Sequence, residues 1–224
     1  MKMSPVEAPQ EIKNGPKPNM FSIINKPKEL FGRVRSNPKI WVPLLIISLI
    51  SAVGAMLTID QDGILSMISE QGGMKLSAAE KSAIAGVTTV VGIIGGFLSP
   101  ALGSLINSIV YMIVSKIIGA SVTFKQLFSM CVHISLISAL GALINGLILS
   151  VFHLSGTGWV TSISYYLGGN GDFLNSVELF SIWGLALTAI GLQVTAGFSK
   201  KVAWGVPVAL FIIGLLFSYM SKGI

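Results

Sequence analysis

Long apolar runs alternate with short polar breaks along this chain. The runs occupy residues 40–59, 82–115, 126–152, 179–198 and 202–220. About 20 helical residues, at ~1.5 Å each, cross a hydrocarbon core of ~30 Å, so the pattern predicts membrane-spanning helices. The second run is the exception in length. Between Lys81 and Lys116 lie 34 residues without a charge, about 50 Å of helix. It forms either one long span that projects from the membrane or two short ones broken at Gly95-Gly96 and Pro100. One helix gives five spans with the chain ends on opposite sides. Two give six spans with both ends on the same side.

Charge placement selects five. With the N-terminus cytoplasmic and one long second helix, Lys2, Lys13, Lys17, Lys26, Lys28, Arg33, Arg35, Lys39, Lys116, Lys125, Lys200 and Lys201 all lie inside. Only Lys75, Lys81 and Lys222 lie outside, as the positive-inside rule requires. Six spans would place Lys116, Lys125 and the Lys200-Lys201 pair on the wrong side. Ser77 and Glu80 have the S-x-x-E spacing of a capping box, which starts the second span outside the membrane. Pro100 is then expected to kink the helix, with neighbouring groups satisfying the carbonyl it frees. The expected fold is an all-α polytopic membrane bundle of five helices, the second long and kinked.

Composition agrees. The 224 residues are 52% hydrophobic and 11% charged, with mean hydropathy +0.79, against about 25% charged in soluble domains. The net charge of +6 is explained by topology and anionic head groups and does not suggest nucleic acid. Cys131 is the single cysteine, so no intramolecular disulfide forms and no cysteine zinc cluster exists. No signal peptide is expected, because the first apolar run begins at Ile40.

The breaks between runs carry further expectations. Residues 1–19, rich in Pro, Lys and Glu, read as a disordered cytoplasmic tail. In residues 20–39, Asn25 can cap a short helix with Pro27 in its first turn. Leu30, Phe31 and Val34 would share one face, with Lys28, Arg33 and Arg35 reaching head groups. This reads as an amphipathic helix on the cytoplasmic surface, or one in a partner's groove. Phe31, Arg33, Arg35 and Trp41 are the candidate surface anchors. Residues 40–224 form the transmembrane domain. The outer segment 60–76 reads as a polar loop. Segment 153–177, with Trp159, Tyr165, Tyr166 and Phe173 among glycines, reads as interfacial or re-entrant. The short Ser199-Lys200-Lys201 turn makes the last two spans an antiparallel hairpin, read as the most secure tertiary contact in the chain.

Chemistry is sparse. Gly92 and Gly96 form a G-x-x-x-G pair which, with Pro100, is assigned to close helix packing or a dimer seam. Asn107, Tyr111, His133 and Asn145 are candidate intramembrane polar contacts. His133 has no acidic partner near it in sequence and reads as structural. The spans hold no Asp, Glu or Arg apart from Glu178 at an edge, which counts against ion-coupled transport. No phosphate loop, H-E-x-x-H motif or metal-ligand cluster is present. No catalytic residue, metal or cofactor is expected, and no enzymatic activity.

Three stretches then point to a family. FSIINKPKELFGRVRSNPKIWVPLLIISLISAV is a basic amphipathic lead into the first span, with Trp and Pro at its start. GASVTFKQLFSMCVHISLISAL carries a Thr-Phe-Lys-Gln turn into a span. ELFSIWGLALTAIGLQVTAGFSKKVAW ends on the Lys pair. In this order, over almost the whole chain from Phe21, they resemble the membrane domain of the Yip (Ypt/Rab-interacting protein) family. The resemblance implies five spans and a cytoplasmic N-terminus. Eukaryotic members are similar in scaffolding vesicle traffic and binding prenylated small GTPases, a property not carried over to this short N-terminus. Bacterial relatives look like accessory membrane proteins, in some cases beside ABC-type exporters, including one that serves toxic-peptide resistance. The expected function is a non-enzymatic scaffold or assembly factor in the cell membrane. Its expected partners are the lipid bilayer, other membrane proteins such as ABC exporter subunits, and further copies of itself. The alternative is a passive channel or transporter for a small or lipidic solute, lined by Asn107, Tyr111, His133 and Asn145.

Overall fold

The computed structural model describes residues 19–72, 76–152, 154, 159–168 and 173–220. The N-terminal tail, Gly73, Lys75, His153, Asp172 and Lys222 lie outside them. Two short helices, α1 (Ser22–Asn25) and α2 (Pro27–Ser36), lead into α3 (Trp41–Leu57). Then follow α4 (Gln61–Gly72), α5 (Ala78–Ile117) and α6 (Phe124–Val151). A one-turn α7 (Ile163–Tyr166) and a 3-10 turn (Phe173–Ser176) precede α8 (Leu179–Ala196) and α9 (Lys200–Met220). The fold is all-helical. α5, α6, α8 and α9 are each long and apolar enough to cross a membrane, and α3 joins them through a 58° bend into α4 as a broken fifth.

α5 is one continuous helix of 40 residues with Pro100 inside it. Its cap is the anticipated box: Ser77 Oγ accepts from Glu80 N, and Ser77 N donates to the Glu80 carboxylate at 2.8 Å. The Ser77 hydroxyl, donating at 2.7 Å, and then Ser77 N hold the Glu80 carboxyl below its ordinary pKa. Proline cannot supply an N–H to the carbonyl four residues back. That carbonyl, Gly96 O, instead accepts from Ser99 Oγ at 3.0 Å. One local hydroxyl thus keeps the helix whole through its proline. A second capping box, Thr123 with Gln126, starts α6.

α3, α5 and α6 pack on one another, with α3 in extensive contact with both of the others. The three approach through small residues. A Cβ on Gly96 would lie 2.5 Å from Ala55 Cβ and 2.9 Å from Ser51 O, and one on Gly54 would lie 2.9 Å from Leu143 N. Gly146 sits as tightly on Leu57. Lipid tails give helices no hydrophobic reason to associate, so close backbone approach has to supply the attraction.

Every described lysine and arginine except Lys81 belongs to one end of the bundle. There α6 begins, α5 and α8 finish and α2 packs. Gln126 Nε2 donates to Arg35 O at 2.6 Å, Ser129 Oγ to Lys39 O at 2.6 Å, and Thr195 Oγ1 to Phe31 O at 3.3 Å.

Three expectations are corrected. Segment 60–76 is not a plain loop, because Gln61–Gly72 forms α4, opened by Asp60 accepting from Gly63 N. Gln61 Nε2 ties it to Thr89 Oγ1 on α5. Asn25 closes α1 rather than capping α2, whose N-cap is Lys26 without a side-chain bond. The α8–α9 hairpin turns at Gly197, in the left-handed region at φ 72°. The two spans do pack as the expected hairpin, although α9 buries only Ala203 and Pro207 and α3 packs more extensively on α5 and α6. Finally, the apolar face of α2 meets protein rather than lipid: Leu30, Phe31 and Val34 are fully buried. Gly191 on α8 leaves the room, since a Cβ there would lie 2.8 Å from Met130 Sδ and 3.4 Å from Phe31 Cε1.

Candidate functional site

The candidate residues fall in three places. Phe31, assigned to surface anchoring, is sealed in the core under α8. Arg33 pairs with Glu29 one turn earlier, and Arg35 Nη1 donates to Val194 O at 3.3 Å. Arg35 therefore also ties α2 to the end of α8. Trp41 faces outward, 79% exposed at the start of α3. It lines a hollow of about 700 Å³ whose rim carries Lys39 and Lys125.

Gly96 packs on α3, and a Cβ on Gly92 would lie 2.6 Å from Ile59 Cδ1. The G-x-x-x-G face is therefore occupied within the chain. Pro100, four residues beyond Gly96, is buried on the same side.

The four polar candidates separate. Asn145 accepts from Thr161 N at 3.0 Å and donates to Gly141 O at 2.9 Å. Thr161 Oγ1 donates to Glu178 Oε2 at 3.0 Å. Glu178 in turn caps α8, accepting from Phe180 N and Ser181 N. This Asn145–Thr161–Glu178 relay fastens segment 159–162 over the outer ends of α6 and α8, where Ser162 and Glu178 also form an antiparallel bridge. Asn145 is therefore structural, and Glu178, read from the sequence only as an acidic edge residue, is its partner. His133 is fully buried, with Nδ1 2.7 Å from Ser129 O and Nε2 without a partner. It does not join the other polar candidates.

Asn107 and Tyr111 do meet, in a cleft of about 500 Å³ between α3, α5 and α6. α3 contributes Ser51, Ala55 and Thr58, and α5 the face from Gly96 through Ser104 to Tyr111. α6 contributes Cys131, Ser135 and Ser138, while Trp159 stands at the outer mouth. At the floor, Tyr111 interacts with the Thr188 hydroxyl of α8. No Asp, Glu, Lys, Arg or His is among the lining residues. The expected four-residue polar path does not form; a cleft built on serine does. Sequence reading missed it because serines in membrane helices usually bond back to their own helix, and spacing does not tell which do not.

The match with known proteins covers this whole frame. Residues 21–221 match the Yip1 domain. The chain belongs to the Yip1 domain family. It is 34% identical over 208 residues to the "Membrane protein YknW" of Bacillus subtilis (strain 168), covering 92% of this chain and 90% of that protein. No solved structure matches. The family and the helices together make this a multi-pass membrane protein.

Proposed function

We propose that this protein is a non-catalytic scaffold of the cell membrane that docks on another membrane complex, an ABC-type exporter involved in toxic-peptide resistance. Its N-terminus is cytoplasmic by the charge rule. One observation carries the reading. The uncharged part of α5 runs unbroken from Ser82 to Ser115. At ~50 Å it exceeds a hydrocarbon core of ~30 Å, and even a tilt of ~40° leaves about 10 Å of apolar helix beyond the core. The cluster of cations at the other end supports an exit of the excess on the outer side, where Val87, Val90 and Val91 are 63%, 56% and 63% exposed. Apolar surface outside the hydrocarbon needs a cover, and an exporter subunit reaching past the membrane supplies one.

A photo-crosslinking residue at Val90, with Ile113 nearer the basic end as control, tests this in native membranes. Crosslinks from Val90 to an exporter permease, absent at Ile113, are expected. Lipid alone at both positions, or only a second copy of this chain, would overturn the reading.

A further inference from the structure

The cleft carries an inference independent of the exporter reading. We propose that it binds the uncharged, hydroxyl-bearing head group of a membrane lipid, such as a glycerol or a sugar, with Ser104 as the anchoring residue. Most polar groups in the spans already spend their hydrogen bonds inside the protein. Buried Ser108, Ser115 and Thr195 bond backbone carbonyls, and Asn145 is held by Thr161. Within the cleft, Thr58, Ser99 and Ser135 also spend their hydroxyls on carbonyls of their own helices. Four lining serine and asparagine side chains make no hydrogen bond among the described residues. Ser104 is 3% exposed and its Oγ has no partner. Ser51, Asn107 and Ser138 likewise make no side-chain hydrogen bond among the described residues. The other buried orphan, His133 Nε2, lies outside the cleft.

Unsatisfied groups in hydrocarbon cost several kcal/mol each, so four converging on one cavity describe half of a hydrogen-bonding set. The missing half can be typed. Hydroxyls and a carboxamide both donate and accept, which suits a ligand that also does both. An ionic head group would need a counter-charge, and the lining has none. The volume of about 500 Å³ lies inside the usual ligand range of ~300–1,000 Å³. Asn107 and Ser138 are exposed although they lie within spans. The cleft is therefore open between α5 and α6, and acyl chains can leave it into the bilayer while the head group sits below Trp159.

Two substitutions separate binding from folding. Ser104→Ala removes the anchor and adds no bulk. Gly103→Leu fills the cleft from a lining position where a Cβ meets nothing within 4 Å. Gly95→Leu is the control, equally open but outside the lining. The full chain in phosphatidylcholine nanodiscs is doped with dioleoylglycerol, glucosyl-diacylglycerol or phosphatidylglycerol. After release into a detergent without a sugar head, retained lipid is counted by native mass spectrometry. Retention of the two uncharged hydroxylated lipids over the phospholipids is expected, weakened about tenfold by Ser104→Ala, abolished by Gly103→Leu and unchanged by Gly95→Leu. Binding of free glycerol or methyl glucoside with neither uncharged lipid retained would keep the hydroxyl chemistry but overturn the lipid as its source. Equal retention of all lipids, indifference to both cleft variants, or no lipid retained because only water fills the cleft, would overturn the proposal.

Discussion

The two halves of the bundle are built by different rules. At the basic end large side chains interlock: Leu30, Phe31 and Val34 of α2 bury themselves against Met130 and the α8 face around Gly191. Toward the other end α3, α5 and α6 meet through glycine, alanine and serine, and they leave a polar cleft. The contrast follows the solvent. Near water, burying phenylalanine and leucine is itself the driving force. Inside lipid that force disappears, and close backbone contact takes its place. α2 is thus a plug of soluble-protein character on a membrane bundle.

The largest expected effect probes the plug. Phe31→Ala should cost about 3–5 kcal/mol through the cavity it leaves, seen as a lower thermal midpoint in detergent and earlier proteolysis after Arg35. If Phe31 served only as a lipid anchor, membrane partitioning would change and the midpoint would not. Next comes the small-residue seam. Gly96→Leu should destabilise by about 1–3 kcal/mol or more, because the added side chain begins 2.5 Å from Ala55. Gly95→Leu, one residue along and facing open space, should leave the midpoint nearly unchanged. Equal midpoints for the two would refute the packing account. At the outer cap, Thr161→Val should cost about 1–2 kcal/mol. It leaves Asn145 and Glu178 without the hydroxyl between them, and faster amide exchange at Phe180 and Ser181 should report it. Ser99→Ala should cost about 1 kcal/mol by leaving Gly96 O unsatisfied; no change would mean that water replaces the hydroxyl. The smallest effect belongs to Trp41→Ala: stability within about 0.5 kcal/mol, with weaker interfacial anchoring read as a fluorescence-quenching change near α3.

Much of this protein was legible in the order of its residues. Run length and the separation of Lys81 from Lys116 determined the spans and made α5 one helix, because a bilayer fixes both the length of a span and the side on which cations stay. Ser77-x-x-Glu80 marked where that helix begins, because a cap is a local bond. The Leu30, Phe31 and Val34 face was visible as a stripe, but the stripe could not say whether lipid or protein would cover it. Gly191, some 160 positions away, decided that by making room on α8. In the same way, sequence placed Asn107, Tyr111, His133 and Asn145 inside spans but could not say which would meet. Asn145 went to Thr161 and Glu178, while Ser104, one serine among many, was left without a partner. Helix, cap and span depend on neighbours within a few residues or on the bilayer itself. Which side chain finds a partner depends on how three helices come together, and that is settled only when the bundle packs.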